Sequence, residues 1–184
     1  MGRLNARCRQ MEGRVSHKNV LILDTSILCV WLKVPGKETC GSGDSCIDFA
    51  KVDSEIQTAM QTQYTLVLPL ATIIETGNHI VKASQWRHER AMALAGLMES
   101  AANESTPWAA FSDQQTLWSA DGLKDLALKW PNLAARKLSI GDATISEVAD
   151  YYAKMGYSVE IYTGDEGLKR HHMITAPPQP RRRR

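Results

Sequence analysis

The stretch NVLILDTSIL, Asn19 to Leu28, decides the fold. Val20 to Leu23 is an apolar run of strand length, cut by the polar Asp24-Thr25-Ser26, after which Ile27, Leu28, Trp31 and Leu32 return at helical spacing. That is strand, turn, helix. Two further runs follow the same plan. Thr65 to Leu68 precedes Pro69 and a helix from Leu70, for which the pattern predicts a buried face of Ile73, Ile74, Gly77, Ile80 and Val81 and a solvated face of Glu75, Asn78 and Lys82. YSVEIY, Tyr157 to Tyr162, precedes the turn Thr163-Gly164-Asp165 and a short last helix around Leu168.

Between these units, Val34 to Ser45 reads as a Gly/Pro-rich loop, and Phe49, Val52, Ile56 and Met60 mark an amphipathic helix ending before Tyr64. The helix from Leu70 continues or restarts through Trp86, Leu94, Leu97 and Met98, then breaks at Asn103 to Pro107. Two weaker helical segments follow, around Leu117 and over Leu123 to Leu128. Ser139-Ile140-Gly141-Asp142 opens a helix with Ile145, Val148, Ala149 and Tyr152 on one side, stopped by Gly156. Apolar strands alternating with helices predict an α/β fold, a three-layer α/β/α sandwich around a central parallel sheet. The expected organisation is a basic arm over 1–18, one domain over 19–174, and a Pro/Arg-rich, extended tail over 175–184.

Composition narrows the class. At 184 residues, 43% hydrophobic and 23% charged, the chain suits one globular domain and neither a disordered nor a fibrous protein. Its apolar runs fall far short of the ~20 residues of a spanning helix. No apolar run follows Arg3, Arg7 and Arg9, so a secretory leader is not expected and the cytoplasm is the default location. The four cysteines, Cys8, Cys29, Cys40 and Cys46, form no C-x-x-C pair and read as reduced thiols; Cys40 and Cys46, in a Gly/Ser loop, could hold zinc, a reading disfavoured because no second ligand pair accompanies them. Neither a G-x-x-x-x-G-K-[ST] loop nor a G-x-G-x-x-G fingerprint is present.

Charge is unevenly spread. Residues 1–18 carry five basic groups against Glu12, a net +4, and Arg181 to Arg184 add +4, which leaves −6 on residues 19–180. An acidic body with basic ends suits a protein whose carboxylates gather a cation while arginines meet phosphate, although short basic tails also serve only solubility.

In an open α/β sheet, functional groups collect at the carboxyl ends of the strands. Asp24 and Asp165 fall there. Glu75 lies in the helix after the second strand, and Asp142 opens the helix before the third. Each acid also has a plain structural role: Asp24, Asp142 and Asp165 can cap helices, and Glu75 can sit on a solvated face. Four carboxylates facing one point need a cation, since two unit charges 4 Å apart repel by roughly 4 kcal/mol at an effective dielectric near 20. An all-oxygen set favours Mg²⁺ or Mn²⁺ over zinc, and such ions activate water and stabilise charge on a phosphodiester.

LDTSIL (Leu23 to Leu28), the Glu75 of ATIIETGN, GDATISEVADYY (Gly141 to Tyr152) and YTGD (Tyr162 to Asp165) together resemble, in order, the four motifs of the PIN-domain family. The resemblance runs from about Val20 to about His172. It implies a parallel α/β/α sandwich and an Mg²⁺- or Mn²⁺-dependent endoribonuclease, with Asp24, Glu75, Asp142 and Asp165 as the metal-site acids. Ser26 and Thr163 match the hydroxyl residues that accompany the first and fourth acids. It also implies RNA as substrate, a homodimer, and an inhibitor protein if the chain resembles the toxins of toxin–antitoxin pairs. Two features depart from the compact toxins: the Gly-rich loop after the first helix and an inserted segment around 103–135. Glu166 competes with Asp165 for the fourth position, and the Thr-x-Asp spacing favours Asp165.

Lys82, Arg87, His88 and Arg90 form a basic cluster around Trp86, which fits either RNA contacts through Lys82, Arg87 and Arg90 or a solvated helix face with Trp86 in the core. His171 and His172 read as surface residues. The alternative function is a catalytically idle module of the same fold that binds RNA or a protein. A flavodoxin-like phosphatase is disfavoured, because no second acid stands two residues after Asp24.

Overall fold

The computed structural model describes residues 19–175. The basic arm, Cys8 and the arginine tail lie outside the described residues. In chain order the elements are β1 (Asn19–Leu23), α1 (Thr25–Trp31), β2 (Thr39–Cys40), β3 (Ile47–Asp48), α2 (Phe49–Gln61), β4 (Thr65–Val67), α3 (Leu70–Lys82), α4 (Arg87–Ala102), α5 (Ala120–Ala135), α6 (Ile140–Lys154), β5 (Ser158–Tyr162) and α7 (Glu166–Thr175). A 3-10 helix over Phe111–Trp118 precedes α5.

The central sheet has three parallel strands in the order β4-β1-β5. The central strand is apolar throughout because both its faces are covered. Val20 and Ile22 meet Ile145, Val148, Ala149 and Tyr152 of α6 and Leu168 of α7. Leu21 and Leu23, pointing the other way, meet Ile27 and Val30 of α1 and Val52, Ile56 and Ala59 of α2. Each such fully buried aliphatic side chain contributes about 1.5–3 kcal/mol. The α/β class, the parallel sheet and helices on both faces are therefore as the sequence predicts.

The loop after α1 contains more order than expected. Thr39–Cys40 pairs antiparallel with Ile47–Asp48 in a small hairpin, with Gly41 and Gly43 at positive φ in its turn. Lys82 ends α3, and α4 starts anew after Trp86, a non-glycine residue in the left-handed region at φ 60°.

The orientation of α3 corrects the sequence reading. Its buried residues are Ala71, Thr72, Thr76 and Ile80, while Ile74 is 55% and Val81 71% exposed. The helix is turned by roughly one residue from the face its isoleucines and valine suggest. Thr72 explains this, since its Oγ1 donates to the Leu23 carbonyl at the end of β1 at 2.9 Å. The turn carries Glu75 off the solvated face and leaves it half-buried.

The segment around 103–135 does two things. Trp108 bridges to Leu66, extending the sheet past β4, and the buried Gln114 bonds Leu68 O (3.0 Å) and Leu70 N (3.3 Å), completing the backbone where β4 turns into α3. Among the described residues no helix is long and apolar enough to cross a membrane.

Candidate functional site

Asp24 sits at the carboxyl end of β1, 5% exposed. Its backbone N–H donates to Tyr162 O (3.1 Å), tying it to the end of β5. Its Oδ2 accepts from Ser26 Oγ (2.7 Å), Ser26 N (3.3 Å) and Thr163 Oγ1 (2.7 Å). The two predicted hydroxyls thus hold one carboxylate from both sides. Ser26 Oγ in turn accepts from Gly164 N (2.9 Å), and Thr163 Oγ1 from Asp165 N (2.9 Å), so the first and fourth motifs form one network.

Glu75 reaches this network from α3. Its Oε2 accepts from Thr25 Oγ1 at 3.0 Å. Gly141, at the start of α6, leaves room for it: a Cβ there would lie 2.9 Å from Glu75 Cδ and closer still to Oε1. Asp142 follows directly, in a reciprocal capping box with Ser139: its Oδ2 accepts from Ser139 N (3.0 Å) and Oγ (2.8 Å), while its own N–H donates to Ser139 Oγ (3.0 Å).

Electrostatics show that the acids share one neighbourhood. Burial holds the Glu75 carboxyl above its ordinary value, and the charges of Asp142 and Asp24 push the same way, against the Thr25 hydroxyl that favours the ion. Asp142 is likewise raised, first by burial and then by Asp24 and Asp165, against the stabilising Ser139 bonds. Asp165 is exposed, with Oδ1 accepting from Gly167 N (2.6 Å) and Leu168 N (2.9 Å) as a cap for α7. Glu166 lies on α7 and pairs with Lys169 at 2.9 Å.

Three of the four acids therefore do carry out the capping roles open to them. Glu75 does not: it caps nothing, is half-buried, and is held by a threonine and a glycine from two other elements. Among the described residues no three His, Cys, Asp or Glu side chains stand close enough to cage an ion. The donor chemistry nevertheless fits a hard cation: the groups are carboxylates, and burial with the neighbouring negative charges raises those on Glu75 and Asp142, a strain that a positive charge would relieve.

The remaining predicted positions divide. Lys82 and Arg87 are exposed, with Arg87 Nε donating to Ala83 O (2.7 Å), whereas Arg90 is half-buried. Trp86 is 54% exposed and so is not a core residue. His171 is buried and His172 half-buried, correcting their reading as surface residues; they pack in because α7 closes over the sheet beside Leu168. Cys40 is half-buried against the site, since a Cβ on Gly164 would fall 2.8 Å from its Sγ, and burial pushes its thiol up. Thr25, Thr72, Gly141 and Gly164 all shape the site and none was predicted. Thr25 and Gly141 were adjacent to motif acids, the one signal available for them. Comparison with protein-family models, curated proteins and solved structures finds no match.

Proposed function

We propose that this chain is an Mg²⁺- or Mn²⁺-dependent endoribonuclease of PIN-like fold, with Asp24, Glu75, Asp142 and Asp165 as its cation site. The observation that carries this reading is Glu75. A carboxylate with no capping role is withdrawn from solvent, held by Thr25, given room by Gly141, and placed within the fields of Asp142 and Asp24. Burying a charge among like charges costs stability, so the arrangement makes sense if the negative cluster serves a ligand.

The division of labour follows from the contacts. Ser26 and Thr163 fix the orientation of Asp24 by donating to Oδ2 from α1 and from the end of β5, the same oxygen that caps α1, which leaves Oδ1 for a ligand. Thr25 does the same for Glu75. Ser139 holds Asp142 at the first turn of α6. A divalent cation, when bound, would neutralise the cluster, lower the pKa of a water and stabilise the phosphodiester's developing charge. The protein's own contribution is four carboxylates held by hydrogen bonds, Asp24 and Asp165 past the ends of β1 and β5 and Glu75 and Asp142 on α3 and α6.

A second reading, an idle binding module of the same fold, is favoured by the capping bonds of Asp24, Asp142 and Asp165. Incubating end-labelled RNA with the full chain and Mn²⁺, with and without chelator, separates the two. Cation-dependent cleavage is expected; binding without cleavage supports the idle module.

A further inference from the structure

One stripe of α3 leads away from the acids. Glu75, His79 and Lys82 stand at i, i+4 and i+7 on one side of the helix, between its buried face and exposed Asn78. From Glu75 to Lys82 the axis rises about 10 Å. The loop after α1 lies alongside: Val34 packs in the cluster that holds Ile80 and Ala83, and Lys37 N–H bonds back to Val34 O at 2.9 Å. Burial pushes the His79 imidazole below its ordinary pKa, and the charges of Lys37 and Lys82 push the same way. Beyond Lys82 the chain turns a corner at Trp86, whose left-handed backbone and 54% exposure present an indole to solvent.

Two features of this stripe suit a polyanionic chain. Lys37, Lys82 and Arg87 are exposed and none takes part in the ion pairs found among the described residues, which are Lys124–Asp121, Lys129–Glu147 and Lys169–Glu166. Positive charge here is free of direct ion pairs among the described residues, and Lys82 lies about two helical turns beyond Glu75 of the negative cluster. Trp86, in the left-handed region and 54% exposed, leaves over half of its surface to solvent, where an indole face can take a base.

We infer that single-stranded RNA runs along α3 from the acid site toward the Trp86 corner, its phosphates on Lys37 and Lys82 and a base stacked on Trp86. This rests on the nuclease reading for the direction of the chain, because it places the scissile phosphate at Glu75 and the flanking nucleotides on the stripe. The chemistry is that of sequence-tolerant single-strand binding: cations track the backbone and an aromatic face accepts any base. His79, biased toward the neutral imidazole by burial and by Lys37 and Lys82, can hydrogen-bond a sugar or base.

The test is fluorescence anisotropy of a labelled oligouridylate with the full chain in chelator, where cleavage cannot interfere. Replacing both lysines, Lys37→Ala with Lys82→Ala, should flatten the slope of log affinity against log salt by about 1.4, at about 0.7 for each phosphate contact to a single strand. Trp86→Ala should weaken binding between about 5-fold and 150-fold. Lys124→Ala on α5 should change neither. An unchanged slope in the double variant, an unchanged affinity in Trp86→Ala, or displacement of the oligonucleotide by polyglutamate as efficiently as by unlabelled RNA overturns the inference. Binding through these residues without any Mn²⁺-dependent cutting would retire the nuclease reading and keep the track. Cutting with an unchanged salt slope would do the reverse.

Discussion

Gly141→Ala separates the site from the fold. The new Cβ would stand 2.9 Å from Glu75 Cδ, against an ordinary contact of 3.4 Å or more, so that carbon must retreat by about 0.5 Å and the nearer oxygen further. The obstacle is the far end of a flexible side chain, so the helix stays and the carboxylate goes. Displacement breaks the Thr25–Glu75 hydrogen bond, a loss of about 0.5–1.5 kcal/mol. Alanine in place of glycine within a helix returns about 0.5–1 kcal/mol. These nearly cancel, and a residual of about 1 kcal/mol shifts the melting temperature by no more than about 4 °C in a domain of this size. Misplacing a group at the reacting centre by about 1 Å costs on the order of 100-fold in rate. Thermal melts should therefore look like wild type while Mn²⁺-dependent RNA cleavage falls by about two orders of magnitude. Adding Glu75→Asp, one methylene shorter, should recover part of the rate. Wild-type cleavage by Gly141→Ala would refute the role given to Glu75, and a melting point lowered by 10 °C would refute the claim that only its carboxylate occupies that space.

Other outcomes follow from the same contacts. Asp24→Asn keeps a capping side chain and should melt within about 1 kcal/mol of wild type yet lose cleavage, whereas Asp24→Ala strands three donors and should cost about 1–3 kcal/mol; denaturant titration with parallel assays checks both. Glu75 and Asp142 have folded pKa values raised above their unfolded ones, so their contribution to stability is full below the ordinary carboxylate range and is lost as pH rises through the folded values. In chelator, melts of Glu75→Gln between pH 4 and 8 should therefore fall less steeply with pH than wild type, and parallel curves would contradict the cluster. Asp165→Asn should retain the α7 cap and weaken Mn²⁺ binding, while Glu166→Ala, which loses only a surface pair with Lys169, should change stability by less than about 0.5 kcal/mol and leave cleavage intact.

The parts legible in the sequence were those governed by local pattern. Val20 to Leu23 is buried on both faces and reads as an unbroken apolar run; Ile145, Val148, Ala149 and Tyr152 keep helical period and face the sheet together. Ser139 with Asp142, and Asp24 before Ser26, carry their capping chemistry in their spacing. What pattern misstated was α3. Ile74 and Val81 point outward while Ile80 stays buried, because the Thr72 hydroxyl bond to Leu23 O sets the rotation, and hydropathy gives such a residue little weight. The same rotation turned Glu75 inward. Gly141 and Gly164 belong to a second class of omission: each is small because a side chain from another element, Glu75 or Cys40, occupies the space, and only the tertiary structure shows which. The β2–β3 hairpin, two residues a side among glycines, offers too few alternations to be read as strands.

Calorimetric titration of Mn²⁺ into the full chain, wild type beside Glu75→Gln, tests most directly whether the carboxylates act as one cation site. Gln can keep the Thr25 hydrogen bond through its carbonyl oxygen, so only the charge changes. The account predicts stoichiometric binding to wild type and at least a 10-fold weaker affinity in the variant, which at neutral pH in chelator should be at least as stable as wild type. Equal affinities, or no Mn²⁺ binding by wild type, would contradict it.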